Sequence, residues 1–143
     1  VMTEDALIRD VLTRVKTIAL VGWSPKSDRP SHRVAAYLTA QGYRVIPVNP
    51  GQVGEIVAGE AVRASLAEIE GGFDMVDIFR RSEEAGAVVA EALAASPDLT
   101  AVWMQLGVED AAAAEVARAR GVAVVMNRCP AIEIPRLGLP KRA

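Results

Sequence analysis

The stretch that decides the fold is Thr-Ile-Ala-Leu-Val-Gly-Trp-Ser-Pro-Lys-Ser-Asp-Arg-Pro-Ser-His-Arg-Val, residues 17–34. Its first six residues form an apolar run that ends at Gly22, which predicts a buried strand. Ser31 follows Pro30 and is predicted to be the N-cap of an amphipathic helix. The stretch therefore predicts a strand, a loop and a helix in succession.

The predicted loop and the first turn of its helix carry a local excess of positive charge. Lys26, Arg29 and Arg33 stand against a single acidic residue, Asp28. A helix N-terminus already offers unpaired N–H groups and the positive end of the helix dipole, so added cations favour a bound anion, most often phosphate. We expect a phosphorylated ligand here. The alternative is a solvated connection whose charges only keep it in water.

The glycine pattern weakens two common phosphate-binding interpretations. A dinucleotide fingerprint would place three glycines after this strand, and only Gly22 is present. No P-loop pattern occurs in the chain. The next predicted strand ends at Asn49, where NAD-binding folds normally carry an acidic residue for the ribose hydroxyls. The sequence therefore does not favour NAD or a nucleoside triphosphate.

Composition limits the class of protein. The chain has 143 residues, 51% apolar and 24% charged, which predicts a single globular domain over residues 1–143 without a membrane-spanning segment. The net charge of −2 argues against bulk nucleic-acid binding. With Cys129 as the one cysteine, no intramolecular disulfide is possible, and we expect a cytoplasmic protein.

Apolar runs alternate with helical patterns along the rest of the chain. Strands are predicted over 17–22, 43–48, 74–79, 98–105 and 122–126. Helices are predicted over 3–15, 31–40 and 109–120, and a further helix has Ser82 as its predicted N-cap. A short helix is predicted over 65–69, an extended piece over 61–63 and a loose tail over 135–143. Unbroken apolar strands between helices predict an α/β fold: one doubly wound, Rossmann-like domain with a mainly parallel sheet of about five strands flanked by helices.

Distinctive residues follow directly after the predicted strands. They are Trp23 to Arg33, Asn49-Pro50, Phe79-Arg80-Arg81, Gln105-Leu106-Gly107 and Asn127-Arg128-Cys129-Pro130. In a doubly wound sheet these loops emerge on one side, and ligands bind in the crevice there. The sequence therefore predicts a ligand site at the carboxyl ends of the strands.

Aromatic and basic residues in these loops have structural alternatives. Trp103 lies inside a strand and is expected in the core, whereas Trp23 in the loop is expected to face a ligand. His32 either points at a phosphate or completes the helix start. Arg80 and Arg81 either hold the ligand or are balanced by Glu83 and Glu84. Since His32 is the only histidine, we expect neither a metal site nor a Ser-His-Asp triad.

Five sequence blocks follow one another along the chain: Val-Gly-Trp-Ser-Pro-Lys-Ser-Asp-Arg-Pro-Ser-His-Arg-Val (21–34), Val-Ile-Pro-Val-Asn-Pro (45–50), Val-Asp-Ile-Phe-Arg-Arg (76–81), Val-Trp-Met-Gln-Leu-Gly (102–107) and Asn-Arg-Cys-Pro (127–130). Together they resemble the small stand-alone CoA-binding proteins, which are related to the CoA-binding domain of the succinyl-CoA synthetase alpha subunit. The resemblance implies a Rossmann-like domain that binds coenzyme A or an acyl-CoA across the strand ends.

The resemblance also implies roles for individual residues. The phosphates would be held by Gly22, Ser24, Lys26, Arg29, Ser31 and Arg33; Asn49 and Pro50 would border the nucleotide; Phe79, Arg80 and Arg81 would flank its other side; Gln105 and Gly107 would lie along the ligand's path. Trp23 and His32 complete the candidate set. Gly51 stands where the family often has lysine, so one phosphate contact is missing.

The leading functional hypothesis is a non-catalytic binding or regulatory module. Acyl ligation as in the synthetases would require a phosphorylatable histidine and a nucleotide-handling partner domain, and we expect neither. One alternative is an enzyme that uses the CoA thiol or Cys129 in acyl or thiol-disulfide exchange; the other is an NAD-binding redox module. For Cys129 we favour a small buried hydrophobe over an exposed, activated thiol near Arg128. We expect a small-molecule ligand, no nucleic acid and no membrane, and leave open a homodimer and an unknown protein partner.

Overall fold

The computed structural model describes residues 2–142, which form a central parallel sheet with helices on both faces. The strands are β1 (Thr17–Val21), β2 (Arg44–Val48), β3 (Ile56–Val57), β4 (Glu60–Ala61), β5 (Met75–Ile78), β6 (Ala101–Met104) and β7 (Ala123–Val125). The helices are α1 (Glu4–Arg14), α2 (Pro30–Ala40), α3 (Ser82–Ala95), α4 (Ala111–Ala119) and α5 (Pro130–Arg136). The predicted doubly wound α/β fold is confirmed.

The sheet has the strand order β2-β1-β5-β6-β7, and all of its strand pairs are parallel. The chain passes from β1 to β2 on one side and then returns across β1 to β5. The crevice outside the carboxyl ends of β1 and β5 is therefore the topological switch point, where open α/β sheets bind their ligands.

Two apolar cores cover the two faces of the sheet. One packs α3 and α4 on one face, and the other packs α1, α2 and α5 on the opposite face. Trp103, on β6, is fully buried in the second core, and its Nε1 donates a hydrogen bond to the carbonyl of Arg128 at 2.7 Å. Its predicted place in the core is confirmed.

Two predicted helix caps are wrong by one or two positions. α2 begins at Pro30, so Arg29 is its N-cap and Ser31 lies inside the first turn. α3 begins at Ser82 and has Arg81 as its N-cap. Proline is well suited to the first helical position because it has no N–H to leave unpaired, which moves the start of α2 ahead of the serine.

A small hairpin covers the outer edge of the sheet. β3 and β4 pair antiparallel, and Arg63 just beyond them pairs with Val48 of β2. The Glu60 carboxylate accepts hydrogen bonds from Arg44 Nε at 2.8 Å and from Arg44 Nη2 at 3.2 Å, and this contact lowers the pKa of Glu60. The extended piece predicted near residues 61–63 thus belongs to a cover over the β2 edge.

The prediction of a loose tail over residues 135–143 is wrong for its described part. Helix α5 continues through Pro135 to Arg136, and the chain then returns to α1 and α2. The Arg142 N–H donates to the carbonyl of Gln41 at 2.7 Å, and the Arg142 guanidinium lies 5.3 Å from the centroid of the Tyr43 ring. Residue 143 lies outside the described residues. Within residues 2–142, no helix is long and apolar enough to span a bilayer.

Candidate functional site

A cavity of about 1020 Å³ opens at the carboxyl ends of β1, β5 and β6, between α2 and α5. Eleven of the predicted site residues line it: Gly22, Ser24, Lys26, Arg29, Ser31, Arg33, Phe79, Arg80, Arg81, Gln105 and Gly107. They come from three separate loops, which the parallel sheet brings to one edge. The structure therefore places most of the candidate set in one concave site at the switch point.

A second, smaller cavity of about 450 Å³ lies beside the first, towards β2. Pro50 and Ala64 line it on the β2 side, and Val88 and Glu91 of α3 line it opposite. Arg80 and Glu84 line both cavities, and Glu83 lines the second. An arginine and a glutamate therefore stand between the two spaces.

The shape of the first loop is fixed by its own polar side chains. The Ser31 hydroxyl accepts a hydrogen bond from the Ser24 N–H at 3.0 Å, and the Ser24 hydroxyl accepts one from the Lys26 N–H at 3.2 Å. The His32 Nδ1 lies 3.0 Å from the Ser24 carbonyl oxygen. Ser31 and His32 thus hold the loop against the start of α2, which positions the cations beside the cavity.

Gly22 is required by a close approach between two strands. Its φ of +96° is one that side chains rarely adopt, and a Cβ there would lie 2.3 Å from the carbonyl oxygen of Phe79. The Gly22 N–H donates to the Val48 carbonyl at 2.9 Å. Since no larger residue fits, the single glycine of the stretch is explained by the packing of β1 against the end of β5.

Four cations that line the first cavity form no ion pair with any described carboxylate: Lys26, Arg29, Arg33 and Arg80. Arg33 instead donates to the backbone carbonyl of Asp28 at 2.5 Å. Most other arginines of the described chain are paired with carboxylates, so this group is distinctive. The cavity is suited to an anion that would supply the missing partners.

Arg81 differs from its neighbour Arg80. Its Nε lies 3.1 Å from the Glu84 carboxylate in an exposed ion pair, and this contact lowers the pKa of Glu84. The interpretation that nearby glutamates balance the arginines therefore holds for Arg81. Arg80 has no such partner among the described residues.

Three predicted site residues line neither cavity. Trp23, expected to face a ligand, is instead 3% exposed and packs in the core beneath α2. His32 stacks beside it, with ring centroids 5.8 Å apart. The Asn49 amide donates to the Trp23 carbonyl at 2.7 Å and accepts from the Gly51 N–H at 2.9 Å. These side chains shape the loops around the site.

The loop after β6 is held by hydrogen bonds from two other loops. The Gly107 N–H donates to the Asn127 side-chain oxygen at 2.8 Å. The Ser82 hydroxyl accepts from the Glu109 N–H at 3.0 Å and donates to the Gly107 carbonyl at 3.3 Å. Ser82, predicted as a cap, thus fastens this loop to the start of α3.

Buried polar atoms without partners gather near the carboxyl ends of the central strands. Within residues 2–142 they belong to Trp23 (Nε1), Asp77 (both carboxyl oxygens) and Gln105 (Oε1). Asp77 lies on β5 between Leu20 and Trp103 of the flanking strands. Burial raises the pKa of Asp77 well above its usual range, so this carboxyl is held in its neutral form more readily than an exposed one.

Helix α5, which the sequence pattern does not predict, supplies part of the cavity wall. Cys129, Ala131 and Ile132 line the cavity from this helix and its N-cap. Pro130 at the first helical position was a usable signal, but Pro135 interrupts the helical pattern. Cys129 is buried and free, and its place in the wall is compatible with both packing and thiol chemistry.

Comparisons with known proteins agree with this geometry. A family model described as a CoA binding domain matches residues 16–135. The chain is 40% identical over 124 residues to the uncharacterized protein YneT of Bacillus subtilis (strain 168), covering 87% of this chain and 89% of that protein.

Two solved structures are similar over nearly their whole length. The cell-free ID.343 protein of Thermus thermophilus superposes with a TM-score of 0.86 at 36% identity, covering 94% of this chain and 99% of that one. A hypothetical protein from Pyrococcus horikoshii OT3 superposes with a TM-score of 0.85 at 36% identity, covering 94% and 92%.

Proposed function

Because the chain belongs to the CoA binding domain family, we propose that it binds coenzyme A or an acyl-CoA across the carboxyl ends of its strands, as a non-catalytic binding or regulatory module. The observation that carries this proposal is the group of unpaired cations, Lys26, Arg29, Arg33 and Arg80, around one cavity. Coenzyme A has a diphosphate and a ribose phosphate, so it needs several cationic or N–H donors.

The two cavities suit the two halves of this ligand. In the proposed pose the diphosphate lies beside the first loop, the adenine enters the second cavity next to Pro50, and the pantetheine arm runs through the first cavity past Gln105 and Gly107. Arg80, which lines both cavities, would contact phosphate between them. The second cavity combines apolar wall residues, such as Val21, Val48 and Val88, with the carboxylates of Glu83, Glu84 and Glu91.

The arrangement of Asn49 supports coenzyme A over NAD. An NAD site uses an acidic side chain at the tip of the second strand to accept hydrogen bonds from the ribose. Here both ends of the Asn49 amide are already engaged, by the Trp23 carbonyl and the Gly51 N–H. The side chain holds two loops together and has no carboxylate to offer a ribose.

Replacing Arg80 tests the proposal. Arg80→Ala is expected to weaken coenzyme A binding about tenfold or more, since a hydrogen bond to a charged group contributes roughly 1.5–3 kcal/mol. Arg120→Ala is the matched control: it also removes one arginine charge, but this exposed residue lines neither cavity. Isothermal titration calorimetry of the wild type and both variants measures the affinities. No binding to the wild type, or equal losses in both variants, would contradict the proposal.

A further inference from the structure

The charge of the residues that line the first cavity changes along the edge of the sheet, from the β1 end to the β7 end. The cavity's charged residues follow β1 and β5 and are five cations and one carboxylate, Glu84, whereas the described residues that line it after β6 and β7 include no lysine, arginine, aspartate or glutamate. The outermost of these strands, β1 and β7, lie three strand spacings apart, which is roughly 14 Å at about 4.8 Å per spacing, while β5 and β6 between them are neighbours. The cavity therefore has a cationic end and an uncharged end.

The uncharged end exposes two large apolar side chains. Leu106 is 57% exposed after β6, and Ile132 is 51% exposed on α5, and both line the cavity. Val34 and Tyr37 of α2, the helix that also carries Arg33, line the cavity as well. Single exposed apolar residues are common on protein surfaces, but two at one end of a ligand cavity indicate a surface that an apolar group covers.

The proposed pose directs the thiol of the ligand towards this end. If the phosphates lie at the cations of β1 and β5, the pantetheine arm extends towards β6 and β7. The second cavity has room for the adenine, so the first cavity, at about 1020 Å³, holds only the remainder of the ligand. Cavities for whole small ligands measure about 300–1,000 Å³. The first cavity thus offers space beyond the arm itself.

We infer that the preferred ligand is an acyl-CoA with an apolar acyl chain, which lies against Leu106 and Ile132 at the uncharged end of the cavity. This inference rests on the proposed function. It specifies which of the two forms, free coenzyme A or its thioester, the site is built to bind.

Affinity as a function of acyl-chain length tests the inference. Calorimetric titrations with coenzyme A, acetyl-CoA and hexanoyl-CoA are expected to show the tightest binding for hexanoyl-CoA. Each fully buried methylene strengthens binding by roughly fourfold, so partial burial of the chain predicts at least about a tenfold gain from acetyl-CoA to hexanoyl-CoA. Equal affinities for the three ligands would overturn the inference.

Polar substitutions at the apolar end provide the second measurement. Leu106→Ser and Ile132→Ser are expected to reduce the ratio of hexanoyl-CoA to acetyl-CoA affinity several-fold. Val116→Ser is the control, because Val116 is 53% exposed on α4 and lines neither cavity. An unchanged ratio in both cavity variants would also overturn the inference.

The two proposals fail in different ways. If coenzyme A binds the wild type but chain length has no effect, the acyl inference is wrong and the proposed function stands. If none of the three ligands binds, the proposed function is wrong and the acyl inference is lost with it. Circular dichroism of each variant confirms that a changed ratio does not come from unfolding.

Discussion

Asp77 shows how a single residue can set the pH dependence of stability. Its carboxyl is fully buried on β5, and neither oxygen has a hydrogen-bond partner among residues 2–142. Burial raises the pKa of Asp77 above that of the unfolded chain, so the folded state binds a proton that the unfolded state releases. The contribution of Asp77 to stability therefore falls as the pH rises from the ordinary carboxyl range to the raised pKa, and is constant above it.

Asp77→Asn removes this proton linkage while keeping the side-chain size. The variant is expected to be more stable than the wild type at neutral pH, with the difference shrinking as the pH falls into the ordinary carboxyl range. Urea unfolding at a series of pH values measures it. Asp74→Asn is the control and is not expected to stabilise, because the Asp74 carboxylate accepts hydrogen bonds from the Lys16 and Thr17 N–H groups at 2.8 Å. A variant less stable than the wild type at every pH would contradict the account.

At the scale of elements, the C-terminal segment caps the C-terminal end of helix α1 with hydrogen bonds. The last carbonyls of a helix have no partner within it. Here the Arg142 guanidinium donates to the carbonyls of Leu12 and Thr13, and its positive charge also suits the negative end of the helix dipole. The same guanidinium lies over the Tyr43 ring. The segment after α5 thus stabilises α1 and the start of β2.

Arg142→Ala is therefore expected to destabilise the protein by about 1–3 kcal/mol, through lost charged hydrogen bonds and the lost cation–π contact. Lys141→Ala provides the comparison, since Lys141 is exposed and forms no ion pair among the described residues. Urea unfolding of both variants gives the two free energies. Equal stabilities would mean that the contacts of Arg142 contribute nothing.

Among the helices and strands, some follow from the sequence pattern and others depend on contacts that the pattern does not contain. The strands and most helices follow from apolar runs and helical spacing, and the switch-point site follows from the order of those elements. Trp23 was misjudged because its position in a loop does not tell whether its ring turns inwards. Helix α5 was missed because Pro135 breaks the pattern, and the docking of Arg142 depends on contacts between residues far apart in the chain.

At the scale of the whole molecule, the local distribution of charge determines where an anion binds, and the net charge does not. The net charge is −2, yet Lys26, Arg29, Arg33 and Arg80 gather around one cavity without carboxylate partners in the described chain. Seven of the acidic residues form ion pairs within the described chain: Glu133, for example, is 4% exposed and binds both Arg128 and Arg136. The fold thus concentrates unpaired positive charge at its ligand edge.

The most direct measurement of the central claim is thermal stabilisation of the protein by coenzyme A, dephospho-CoA and NAD at the same salt concentration. A ligand that binds only the folded state raises the unfolding midpoint, with about 2.7 kcal/mol of added stability at a hundredfold excess over its dissociation constant. We expect coenzyme A to raise the midpoint most, dephospho-CoA to raise it less because it lacks the ribose phosphate, and NAD to leave it unchanged. Stabilisation by NAD but not by coenzyme A would contradict the account.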